Sequence, residues 1–89
     1  MCIRDRAIVN EIRSVRGATA LGSIDEASML AERGRELYWE GHRRQDLIRF
    51  GRFLDAWENK PATNEERLLF PIPSRSLAGN PNLVQNPGY

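Results

Sequence analysis

All five prolines of this 89-residue chain, Pro61, Pro71, Pro73, Pro81 and Pro87, lie between residues 61 and 89. Proline holds its own φ, donates no backbone hydrogen bond and biases the residue before it towards extended backbone. Together with Asn64, Asn80, Asn82 and Asn86, the prolines predict extended segments and turns for this stretch. Whatever regular structure the chain has must come from its first sixty residues. A chain of this length buries only about 60–65% of its unfolded surface, so one small domain is the ceiling.

In the proline-free part the apolar residues follow helical spacing. Ala7, Ile8, Val9, Ile12 and Val15 recur three and four apart and predict a helix near residues 6–16, with Gly17 as its cap. Ser23 and Glu26 have the spacing of a capping box, which satisfies two backbone N–H groups reciprocally. Beyond it Ala27, Leu30, Ala31, Gly34, Leu37 and Tyr38 carry a helix over 24–40, and Leu47, Ile48, Phe50, Phe53, Leu54 and Trp57 a third over 43–58. Gly34 costs roughly 1 kcal/mol in mid-helix, which predicts another backbone close against it. In Leu68-Leu69-Phe70-Pro71-Ile72-Pro73 the prolines bar a central strand, and a buried extended strap is expected. The fold class is all-α, with no substantial sheet.

Charge excludes some functions. Thirteen Lys and Arg against twelve Asp and Glu leave a net charge of +1, far from the basic excess of a nucleic-acid binder. Lys60 is the only lysine, so the bases are almost all arginine, the side chain suited to fixed bidentate carboxylate pairs. Only Met1 precedes Cys2, leaving no room for the apolar stretch that a lipoprotein or secretory signal needs. No run approaches the ~18–20 apolar residues of a membrane span.

Several constellations have a chemical and a structural reading. Glu32, Glu36 and Glu40 share one helix stripe, but carboxylates side by side do not flank a substrate, and Arg33, Arg35, Arg43, Arg44 and Arg49 stand near in sequence to neutralise them. His42 and Asp46 have i, i+4 metal spacing without a second histidine or a usable cysteine. Ser23, Ser28, Ser74 and Ser76 lack the elbow motif of a serine nucleophile. Tyr38, Trp39, Trp57 and Tyr89 could stack on sugar rings, although the helical spacing of Tyr38 and Trp57 favours core packing. No catalytic, metal or cofactor site is assigned.

Residues 32–51, and residues 69–73 with 80–89, form two blocks that resemble motifs of the SusD/RagB family of nutrient-uptake proteins. Glu32-Arg33-Gly34-Arg35-Glu36-Leu37-Tyr38-Trp39-Glu40-Gly41-His42-Arg43-Arg44-Gln45-Asp46-Leu47-Ile48-Arg49-Phe50-Gly51 is similar to a pattern near the end of those proteins. Leu69-Phe70-Pro71-Ile72-Pro73 and Asn80-Pro81-Asn82-Leu83-Val84-Gln85-Asn86-Pro87-Gly88-Tyr89 resemble their closing segments. The resemblance covers residues 7–89 and leaves 1–6 as an unmatched stub.

It implies the C-terminal part of a tetratricopeptide-like helical fold with an extended proline-rich tail, a scaffold fragment of a longer lipoprotein. That parent would sit on the outer face of the outer membrane, through a lipid anchor absent here, and capture oligosaccharide or another nutrient for a SusC-type TonB-dependent transporter. It would be no enzyme and would need no cofactor. No ligand-binding residue is carried over, and this segment alone is expected to bind no sugar. Within the first block Arg33, Glu36, Glu40 and Arg49 are expected to be more buried than Arg4, Arg13, Glu58 and Lys60. The alternatives are a free-standing helical protein-interaction module, and a small glycosidase using Glu36 and Glu40.

Overall fold

A computed structural model describes residues 3–89; Cys2 lies outside the described residues. The chain divides into two compact units, Met1–Phe50 and Gly51–Tyr89. The first holds α1 (Ile3–Val15), α2 (Glu26–Glu36) and α3 (Arg43–Arg49). The second holds a 3-10 turn, Glu65–Leu68, and α4 (Ser74–Gly79). Among the described residues the only β pairing is an isolated antiparallel bridge between Trp57 and Lys60, so the expected all-α class is the class found. No helix among them is long and apolar enough to cross a membrane.

The helix boundaries differ from the sequence expectation in instructive ways. α1 begins three residues earlier than the apolar stripe suggests, at Ile3. The capping box that starts α2 is Asp25/Ser28, not Ser23/Glu26: Asp25 Oδ1 accepts from the Ser28 N–H and Ser28 Oγ from the Asp25 N–H, each at 2.8 Å. Both pairs have the right spacing. The second leaves Glu26 in the first helical turn, where its charge meets the positive end of the helix dipole. It also sets half-buried Ile24 and Met29 at hydrophobic-staple positions.

α2 stops at Glu36 rather than residue 40 because the backbone turns left-handed at Trp39, φ 65°, and again at Gly41, φ 79°. α3 stops at Arg49. Gly51, φ 68°, is the reversal, and residues 50–58, expected as helix, form turns instead. The tail contains one element that its prolines did not suggest: Pro73, with φ −56°, leads directly into α4.

Both units use a side-chain amide to clamp a stretch of backbone. In the first, the buried apolar residues among those described are Val9, Leu30 and Leu47, and the loop after α1 is tied by Asn10, whose Nδ2 donates to Leu21 O (3.0 Å) while its Oδ1 accepts from Leu21 N–H (2.8 Å). In the second, Gln85 does the same to Ile72: its Oε1 accepts from Ile72 N–H at 2.8 Å and its Nε2 donates to Ile72 O at 2.9 Å. Asn86 Nδ2 donates to Phe70 O (2.7 Å) and Tyr89 OH to Leu69 O (2.9 Å).

Flanked by two prolines without N–H groups, Ile72 has the free donor–acceptor pair of its tripeptide, and a side-chain amide matches it as a neighbouring strand would. The Leu69–Pro73 strap is therefore pinned, yet Leu69 and Phe70 are exposed, contrary to the expected burial. At Gly88, φ 84°, a Cβ would collide with Glu66, so the closing turn needs glycine both for conformation and for space.

Candidate functional site

The charged block of the first unit is organised around one buried carboxylate. Asp46 is 3% exposed, and a carboxylate so placed is stable only if its charge and lone pairs are answered. Arg33 Nε donates to its Oδ2 at 2.8 Å and Arg49 Nη2 to its Oδ1 at 2.9 Å. The Arg33 hydrogen bond is the main reason the Asp46 carboxyl titrates below its usual range, against desolvation and with help from the charges of Arg33 and Arg49. Asp46 thereby fastens α3 to α2, the two helices that pack together in this unit.

The glutamate stripe is answered from the other side. Glu32 accepts from Arg13 Nη1 at 2.5 Å and also from Arg35; Glu36 takes both Arg16 Nη2 at 2.6 Å and Arg16 Nε at 3.1 Å. The Arg16 hydrogen bond lowers the Glu36 carboxyl pKa, and the same pair raises Arg16. Arg13 in the last turn of α1 and Arg16 just past its end meet Glu32 and Glu36, four apart on α2, so the two segments present matching charges.

This overturns the expected burial order. Arg13, grouped with the exposed charges, has a side chain only 15% exposed, whereas Arg49 and Glu40 are exposed. The partners of the stripe come from α1, a long-range pairing that proximity in sequence could not show. Glu40 falls beyond the end of α2 and leaves the stripe.

Gly34 has a reason of a different kind from the one predicted. What lies against it is a guanidinium, not a backbone: a Cβ at Gly34 would stand 2.7 Å from Arg43 Nη1, which donates to Leu30 O at 2.8 Å. Arg43 thus braces α2 at its bare position.

The α2–α3 connection carries the most exposed aromatics of the chain. Tyr38 is 75% and Trp39 88% exposed, their ring centroids 6.2 Å apart and edge to face. The core packing expected for Tyr38 and Trp57 is not what the structure has, since both are exposed. Trp39 is also the one described non-glycine residue with positive φ, a conformation costing a bulky residue roughly 1–2 kcal/mol. The rings border a groove of about 520 Å³ lined by Arg33, Gly34, Leu37, Tyr38, Trp39, Gly41, Arg43 and Arg44. One sequence signal pointed here: adjacent residues on a helix stand about 100° apart, so Tyr38 and Trp39 could not both have faced one core.

His42 is the exposed N-cap residue of α3, and its partner in the metal spacing, Asp46, has both oxygens occupied by arginines. Ser28 serves the α2 cap, Ser23 is exposed before it, and Ser74 and Ser76 lie on α4. Tyr89 receives the Arg67 guanidinium 4.9 Å from its ring centroid while its hydroxyl holds Leu69. Among the described residues no group of three or more His, Cys, Asp and Glu could hold a metal ion.

Comparison with known proteins places this architecture. The starch-binding protein SusD of Bacteroides thetaiotaomicron is 35% identical in an alignment covering 91% of this chain and 16% of that protein. A SusD-like protein of Formosa agariphila is 34% identical, covering 92% of this chain and 19% of its own length. The chain therefore spans less than a fifth of either relative. The sequence profile of the SusD family matches residues 2–65, across all three helices of the first unit and the clamps between them, and the chain belongs to that family.

Proposed function

We propose that this chain takes part in capturing a nutrient, an oligosaccharide first of all, at the outer face of the outer membrane, within a SusC/SusD-type uptake system. Its residues 7–89 form a C-terminal scaffold region of that protein. The observation that carries the reading is the 35% identity to a starch-binding SusD across nearly the whole chain. The charged motif suits a scaffold: Arg33, Asp46, Glu32, Glu36, Arg13 and Arg16 are all spent on one another, joining α1 to α2 and α2 to α3. Capture of this kind is non-covalent, and a TonB-dependent transporter of the SusC type moves the ligand onward. The lipid anchor belongs to a part of the protein upstream of this segment.

Recovering the upstream reading frame and assaying its product tests the proposal. A lipoprotein signal, co-purification with a TonB-dependent transporter and calorimetric binding of an oligosaccharide are the expected results. A frame that opens at Met1, with a product that associates with no transporter, would overturn it.

A second reading, a free-standing helical interaction module, has one observation in its favour. An apolar cleft of about 250 Å³ runs beside α1, floored by Ile8, Val9, Ile12, Met29 and Leu37. The same upstream frame decides between the two.

A further inference from the structure

We draw no further inference here: the strongest candidate, the apolar cleft beside α1 floored by Ile8, Val9, Ile12, Met29 and Leu37, is an unpartnered face in a chain spanning less than a fifth of its relatives, and nothing in the structure shows what covers it.

Discussion

The two units solve the same problem, how to hold short elements with little core, by different chemistry. In the first unit arginines grip carboxylates: Arg33 and Arg49 on Asp46, Arg13 on Glu32, Arg16 on Glu36. In the second, neutral groups grip backbone: Gln85 on Ile72, Asn86 on Phe70, Tyr89 on Leu69. The difference follows from what each unit offers. Helices have satisfied backbones and must be joined through side chains, whereas a proline-flanked strap exposes unpaired N–H and C=O groups that an amide can meet. The clamps of the first unit should therefore answer to pH and salt, and the amide grip on the strap of the second to neither.

The largest effect should come from removing the buried charge. Asp46→Asn leaves Arg33 and Arg49 facing an amide and is expected to cost the first unit about 2–3 kcal/mol, towards the low end for a broken buried pair because the arginines reach water. Chemical denaturation followed separately through the amides of residues 3–50 and 51–89 by NMR would show it. An equal loss in both units would erase the distinction drawn between them.

Gln85→Leu is the matching change in the second unit. It strips the half-buried Ile72 N–H and C=O of their partner, and about 1–3 kcal/mol should be lost, visible as faster hydrogen exchange at Ile72.

Acid should sharpen the contrast. Asp46, Glu36 and Asp25 all titrate below their usual ranges in the folded chain: the first through Arg33, the second through Arg16, the third through the Ser28 N–H. A carboxylate with a depressed folded pKa stabilises the fold above its unfolded value, about 4, and that contribution disappears as pH falls through the folded value. The first unit should thus loosen below pH 4. The amide grip on Ile72 has no titratable atom, and its hydrogen exchange, corrected for pH, should not follow.

The smallest expected effect is a gain. Trp39→Gly should stabilise the first unit by about 1 kcal/mol through relief of left-handed strain, read as a higher melting temperature. A lower melting temperature would mean that the indole, for all its exposure, holds the α2–α3 connection together.

What the linear chain determined by itself was local. Helical apolar spacing marked α1 and α2 and the start of α3, because a 3.6-residue period is visible without any partner. Five clustered prolines announced the break in regular structure, and two motifs announced the family. Even the α2 cap was legible as a cap, although two boxes two residues apart competed for it and only the folded chain shows that Asp25/Ser28 forms.

Tertiary structure decided everything that depends on which residue meets which across the fold. It placed Arg13 and Arg16 against Glu32 and Glu36, buried Asp46 rather than Arg49, laid the Arg43 guanidinium over Gly34, and aimed Gln85 at Ile72. An arginine has the same local signature whether its carboxylate is three residues away or on another helix. Sequence supplies the charges and the spacing, but the pairing is chosen by the docking of whole helices, where burying a few apolar side chains sets the distance at which every charged pair must then fit.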